Sequence, residues 1–317
     1  IRYEATPGGD WADYGASGAA VHVDLTSPGA QSGGHAEGDV LTGIENVIGS
    51  AHGDTLIGQD YVSNVFAGLA GADSLVGGES VLNVIIDAQW DFRTNYYYPD
   101  TADYSLSPSW VNVDLNTAGG QAGGGAGNHA LGDTLVGIEN VIGTNDAHGD
   151  ALTGDGSHNF LDGLAGADTL IGGAGDDTLR GGSGADYLDG GTNTQWERHF
   201  NYGDWVDYST STAGVSVNLY HQDGTATQSG GDAEGDTLLG FENAMGSEHD
   251  DSLVGDDASN WLAGLDGNDT MIGDTAVVSG NYSHDSMWGG AGDDLMYGGA
   301  GNDQMWGDSG DDRLTGG

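Results

Sequence analysis

Gly172-Gly173-Ala174-Gly175-Asp176-Asp177-Thr178-Leu179-Arg180 runs directly into Gly181-Gly182-Ser183-Gly184-Ala185-Asp186-Tyr187-Leu188-Asp189. Both nonapeptides read Gly-Gly-x-Gly-x-Asp-x-apolar-x. Extending the frame backwards puts Asp168, Asn159 and Asp150 at the sixth position and Leu170, Leu161 and Leu152 at the eighth. A leucine at every ninth residue has no use in a coil. The stretch therefore reads as short strands, each with one inward side chain, joined by glycine turns. The frame recurs with Asp251, Asn260 and Asp269 at position six, breaks near 274–279, and resumes with Asp285, Asp294, Asp303 and Asp312. A shorter copy holds Asp54, Asn64 and Asp73, with one extra residue between the first two.

A longer repeat encloses these arrays. Ala12-Asp13-Tyr14, Ala102-Asp103-Tyr104 and Val206-Asp207-Tyr208 each precede an alternating run, at Val21–Leu25, Val111–Leu115 and Val215–Leu219. Such alternation predicts a half-buried strand. A glycine-rich stretch follows, then a Gly-Asp motif at Gly38-Asp39, Gly132-Asp133 and Gly235-Asp236. Three tandem units are expected: 1–86 with an array over 49–78, 87–193 with an array over 145–191, and 194–317 with an array over 246–317. The chain stops where another repeat would begin, so it reads as a fragment of a longer protein.

Composition sharpens the reading. The chain has 317 residues, 61 Gly, 50 acidic residues, five basic ones and no Cys, for a net charge of −45. That charge argues against nucleic acid and anionic membrane as partners. Fewer than a fifth of the residues are Leu, Ile, Val or Phe, a level at which a highly charged chain is expected to stay disordered unless something neutralises it. The acids are 41 Asp and nine Glu. Asp favours turns and hard-cation sites, whereas Glu would support helices. Missing Cys excludes a disulfide scaffold and Cys-based zinc sites. No run approaches eighteen consecutive apolar residues, so no membrane-spanning helix is expected, and no signal pattern opens the chain.

The spacing suits calcium. Glycines at positions one, two and four free the backbone for positive φ, so that carbonyls can turn towards one point. Asp at position six adds a short carboxylate beside them. Calcium takes six to eight oxygens, and magnesium, which demands a tight octahedron and keeps its waters, fits less well.

The motif resembles the RTX (repeats-in-toxin, haemolysin-type) calcium-binding nonapeptide. Four copies match in full, from Gly172, Gly181, Gly289 and Gly298, if Met296 and Met305 count as apolar. Four more, from Gly68, Gly163, Gly264 and Gly307, differ only at the second glycine. The resemblance implies an all-β fold of right-handed parallel β-roll (β-solenoid) segments, with two nonapeptides per coil and several calcium ions held between residues eighteen apart. It implies that positions one, three and six of one turn face positions two, four and six of the turn stacked upon it. Carried over, Gly163, Ala165 and Asp168 face Gly182, Gly184 and Asp186, while Gly289, Ala291 and Asp294 face Asp308, Gly310 and Asp312. Gly280, Tyr282 and Asp285 face Gly299, Gly301 and Asp303, a pair weakened by Ser283. Asn145, Ala147 and Asp150 face Leu164, Gly166 and Asp168. Gly246, Glu248 and Asp251 face Leu265, Gly267 and Asp269. Gly49, Ala51 and Asp54 face Leu69, Gly71 and Asp73, at a spacing of nineteen. Gly173, Gly175 and Asp177 are ligands of the same type. Sites at Asn64, Asn159 and Asn260 are expected to be weak or empty, and the turn at Gly190-Gly191 to fail, because Gln195 stands where Asp belongs. Glu45, Glu139 and Glu242 read chiefly as solvated residues, with a ligand role as the alternative.

No His-Glu-x-x-His, Gly-x-Ser-x-Gly or lysine-bearing phosphate loop occurs, and the chain is expected not to be an enzyme. His52, His148 and His249 recur at the array entries and read as turn residues. Aromatic insertions at 89–100 and 195–205 carry Trp90 and Trp196, read as plugs over the roll ends or as a contact surface for copies of the chain or a surface glycan. The expected function is a calcium-dependent structural or interaction region of a secreted, extracellular bacterial protein. An adhesin, surface-layer or filament protein exported by type I secretion would suit. The alternatives are an accessory region of a secreted lipase, protease or alginate epimerase, and a glycan-binding module.

Overall fold

A computed structural model describes residues 9–87, 92–192, 203–221, 228–274 and 283–317. Among these the chain is all-β, with three short 3-10 turns and no α-helix. Most strands are three residues long and run from position seven to position nine of a nonapeptide. Their inward residue is the apolar one at position eight. Leu152, Leu170, Leu188 and Leu238 stack in register as one parallel column. Residues eighteen apart therefore lie side by side, and two nonapeptides make one coil of a parallel β-roll.

The backbone gathers into two compact units, Ile1–Asn145 and Asp146–Gly317. This grouping follows spatial density, whereas the expected division at 86 and 193 follows the sequence repeat. In the first unit one sheet orders Trp11–Asp13, Asn46–Ile48, Val65–Ala67, Thr101–Asp103 and Asn140–Thr144. The sheet facing it orders His22–Asp24, Thr55–Ile57, Ser74–Val76 and Thr134–Val136. Val47, Phe66, Ala102 and Val141 from one side meet Val23, Leu56 and Leu75 from the other, all without solvent exposure.

In the second unit a long sheet orders Phe160–Leu164, Thr178–Arg180, Trp205–Asp207, Asn243–Met245, Trp261–Asp266, Ser286–Ala291 and Gln304–Ser309. It supplies Leu161, Leu179, Val206, Ala244, Leu262 and Met287 to the core. Its outer face carries a staircase of indoles, with Trp205, Trp261, Trp288 and Trp306 at successive ring-centre separations of 6.0, 4.9 and 4.7 Å. These rings cover one another across strands, a cross-strand stabilisation that the sequence analysis did not anticipate. The predicted alternating runs form the strands His22–Asp24, Asn112–Asp114 and Ser216–Asn218, with Val23, Val113 and Val217 inward.

In the turns that carry the motif the second position takes a left-handed backbone, whereas Ser50, Asp155, Ser247 and Asp256 at the same place in the looser turns do not. Gly173 and Gly182 take φ values of 114° and 86°. Where a motif has another residue there the conformation persists, with Leu69 and Leu164 at 67°, Leu265 at 83° and Asp308 at 64°. The four imperfect motifs thus keep the turn at the expense of a strained non-glycine residue. One apolar residue per nonapeptide makes a thin core, and burying so little must offset the ordering of a whole coil. The turns have to contribute.

Candidate metal centre in the stacked turns

In the stacked turns the Asp side chain reaches back to the preceding coil. The sixth-position N–H donates to Oδ1 of the sixth-position Asp in the adjacent coil: Asp150 to Asp168 at 2.6 Å, Asp168 to Asp186 at 2.7 Å, and Asn159 to Asp177 at 2.7 Å. Asp251 donates to Asp269, Asp285 to Asp303 and Asp294 to Asp312 in the same way. In the first unit Asp54 donates to Asp73 at 2.8 Å, so the spacing of nineteen is accommodated. The extra residue is absorbed nearby, where Tyr61 takes φ 59°.

Oδ1 is thereby satisfied, but Oδ2 is not. The Oδ2 atoms of Asp73, Asp168, Asp177, Asp186, Asp269, Asp285 and Asp294 are buried and have no hydrogen-bond partner. Each sits over the first glycine of its own turn. A Cβ on Gly163 would overlap Asp168 Oδ2 and lie 2.7 Å from the Gly181 carbonyl oxygen of the next coil. On Gly289 it would overlap Asp294 Oδ2 and lie 2.9 Å from the Gly307 carbonyl oxygen. Carboxylate and carbonyl oxygens thus converge on one point without a proton donor between them. Such a donor set is costly to bury and suits a hard cation with oxygen ligands. Burial pushes Asp73 and Asp168 up to about 8, Asp177 and Asp269 to about 7 and Asp186 to about 6. Among the described residues no three acidic or His side chains converge on one site. The predicted site asks for only two, with backbone carbonyls completing the shell.

Several of the predicted turns are stacked on one another. Ala165 bridges to Ser183 between Gly163–Asp168 and Gly182–Asp186. Gly290 pairs with Asp308 and Ala291 with Ser309 between the next predicted pair. The Gly246–Asp251 turn stacks on Leu265–Asp269, yet Asp251 Oδ2 already accepts the Ser247 N–H at 2.5 Å, as Asp54 Oδ2 accepts that of Ser50. Asn145 falls in the first compact unit, and Ala147 and Asp150 in the second. Gly280, Tyr282, Trp90, Trp196 and Gln195 lie outside the described residues.

Three nonapeptides prove to be split by insertions. Asp285 Oδ2 sits over Gly273, so this turn begins at Gly273-Asp274 and resumes at Ser283, the separation of 25 from Asn260 being seven more than the uninterrupted step. Asn64 N–H donates to Asp100 Oδ1 at 2.7 Å across a separation of 36, which makes Gly77–Asp100 one interrupted turn. The antiparallel hairpin of Val81–Asp87 and Phe92–Tyr97 stands within it. Asp177 N–H donates to Asp204 Oδ1 at 2.8 Å across a separation of 27. The turn at Gly190-Gly191 therefore does not fail. Asp204 fills the place that the sequence frame gave to Gln195.

The layers between arrays are built to need no cation. Tyr14, Tyr104 and Tyr208 of the long-repeat signature donate their hydroxyls to Oδ2 of Asp39, Asp133 and Asp236 at 3.1, 3.1 and 2.9 Å. Asp133 and Asp236 meanwhile accept the Asp73 and Asp186 N–H groups on Oδ1. Glu45, Glu139 and Glu242 accept the N–H groups of Asp10, Asp100 and Asp204 and so extend the ladder, Glu139 buried and Glu45 and Glu242 half-buried. Asn64 and Asn260 each turn an amide N–H to a carbonyl of the preceding coil, those of Glu45 and Glu242. A neutral amide here does by hydrogen bonding what the Asp turns leave undone. The rings of His52, His148 and His249 are exposed, and their backbone N–H groups close local turns on Ser50, Asp146 and Ser247.

The tyrosine latch yields a test. Tyr208→Phe removes the proton donor from a carboxylate oxygen that is otherwise buried, and leaving such an acceptor unmade costs about 1–3 kcal/mol. The calcium concentration at half folding should rise in Tyr208→Phe. An unchanged midpoint would show that Asp236 finds another donor.

The family model of the RTX calcium-binding nonapeptide repeat matches four segments, residues 60–80, 162–193, 245–275 and 279–317. The chain therefore carries RTX calcium-binding repeats, set in a parallel β-roll. No curated protein matches the chain. Among the described residues no helix is long and apolar enough to cross a membrane.

Proposed function

We propose that the chain is a calcium-folded, non-catalytic structural or interaction region of a large secreted bacterial protein, of adhesin, surface-layer or filament kind. The observation that carries this reading is the column of buried Asp Oδ2 atoms without hydrogen-bond partners, facing carbonyl oxygens of the next coil. Once ionised, such columns repel unless a cation enters them. Calcium, when bound, supplies that positive charge. The chain's own part is to hold the oxygens in place, with Oδ1 fixed by a backbone N–H and the first glycine leaving room for Oδ2. Export as an unfolded chain follows from the same chemistry, since a net charge of −45 keeps the calcium-free chain extended and external calcium collapses it. A role as a spacer or contact surface fits an array in which the acids are spent on the fold.

A calcium titration at pH 7.5, followed by far-ultraviolet circular dichroism and sedimentation velocity, tests the proposal. Strand signal and compaction should appear together and cooperatively, with a midpoint in the range of extracellular calcium modules, roughly 0.1–1 mM. A compact, strand-rich particle in chelator would contradict it.

A further inference from the structure

We propose that a calcium site spans the insertion at 193–201, closed by Asp204 from the far side. The inference rests on the calcium reading of the uninterrupted repeats and extends it to a residue outside the segments matched by the repeat family. Its first half is ordinary: Gly172, Ala174 and Asp177 occupy positions one, three and six of a complete motif. Its second half is broken in sequence and whole in space. Gly191 pairs in register with Gly173, and Thr192 with Ala174, so the start of the split turn stacks on the turn before it. After the insertion, Trp205 pairs with Thr178 and Val206 with Leu179, so the strand resumes in register as well. Arg180 fixes that strand from outside, its guanidinium held between Asp162 Oδ2 at 3.3 Å and Asp207 Oδ2 at 2.5 Å.

Between these two anchored stems lies Asp204. It has no solvent exposure, and neither has Asp177. Oδ1 of Asp204 accepts the Asp177 N–H, while Oδ2 of both residues is buried without a hydrogen-bond partner. A Cβ on Gly172 would meet Asp177 Oδ2 at 2.5 Å and the Gly190 carbonyl oxygen at 2.6 Å, the same convergence seen at Gly163. Two fully buried carboxylate oxygens aimed at carbonyls, with no donor in reach, need a cation as the contiguous turns do. The consequence reaches beyond one more ion. Calcium in this turn takes ligands from both sides of the insertion, and so ties its two stems together.

The test is the number of calcium ions bound per full chain at saturation, by equilibrium dialysis and atomic emission. Asp204→Asn should bind at least one ion fewer than the wild type, and Gln195→Ala should bind the wild-type number. A second variant keeps the question open to refutation if Asp204→Asn does not fold. Deleting residues 193–201 leaves Gly190-Gly191-Thr192-Tyr202-Gly203-Asp204, an uninterrupted turn with Asp at position six, and should preserve the wild-type count. A wild-type count in folded Asp204→Asn, or an ion lost on the deletion, would overturn the inference. A wild-type chain that binds no calcium would instead overturn the reading on which it rests.

Discussion

Freed of calcium at pH 8 the chain should lose its β-roll, and in the same metal-free buffer at pH 4 it should recover much of it. The sign follows from the buried acids. Asp73, Asp168 and Asp204 are pushed up to about 8 and Asp100, Asp133, Asp177, Asp236, Asp269 and Asp285 to about 7, against 3.8 for the free side chain, with burial the largest cause in each case. A carboxyl whose folded value is raised holds its proton in the fold and gives it up in the unfolded chain. Its contribution to stability is complete below the unfolded value and is lost as pH climbs through the folded one. Nine such groups titrating together make the metal-free fold an acid-side state, with the loss concentrated between about pH 4 and 8. Calcium reverses the dependence, because it binds the deprotonated oxygens and is displaced as they take up protons. Circular dichroism across this range, with and without calcium, checks both signs. A metal-free chain equally folded at both ends of the range would refute the assignment of Asp73, Asp168, Asp177, Asp204, Asp269 and Asp285 to an uncompensated column.

The second large effect is expected at a glycine. Gly163→Ala places a methyl group over Asp168 Oδ2 and 2.7 Å from the Gly181 carbonyl oxygen, so backbone as well as side chain must give way. Overpacking of this kind costs about 1–3 kcal/mol before any loss of an ion is counted. Here the displaced atoms are the proposed ligands, so the calcium midpoint should rise at least several-fold and one ion should be lost at saturation. Gly156→Ala is the control, since a Cβ there meets nothing within 4 Å. It should leave the midpoint unchanged, or lower it slightly by restricting the unfolded chain. Equal midpoints for the two variants would mean that the space above Gly163 serves no ligand.

The contiguous nonapeptides were legible because two signals coincide in them. Leucine at every ninth residue marks the strands, and glycine with Asp at fixed offsets marks the turns, so the spacing alone stacks Leu152 to Leu188. The split turns were not legible, because their offsets are broken: Asp204 follows Asp177 by 27 residues, Asp100 follows Asn64 by 36, and Asp285 follows Asn260 by 25. A signal was nevertheless present. Asp100 and Asp204 each stand two residues before the Ala or Val of the long-repeat signature, the same step that separates positions six and eight. The tyrosine of that signature was read as a marker and proved to be a hydroxyl donor. Only the stacking of coils shows that its target is a carboxylate oxygen which elsewhere is left for a cation. The glutamates were undervalued for a related reason, since an acid just before a short strand looks solvated until the neighbouring coil is placed against it.

The most direct measurement is anomalous diffraction from crystals of the calcium-bound chain. Peaks are expected between stacked turns, beside Asp168 and Asp186, beside Asp177 and Asp204, and beside Asp269 and Asp294, where the Asp269 N–H donates to Asp294 Oδ1 at 2.9 Å and both Oδ2 atoms lack a partner. They should be absent where Tyr104 and Tyr208 satisfy Asp133 and Asp236. Calcium confined to the exposed outer faces, with the buried Asp Oδ2 atoms ligating nothing, would contradict the account.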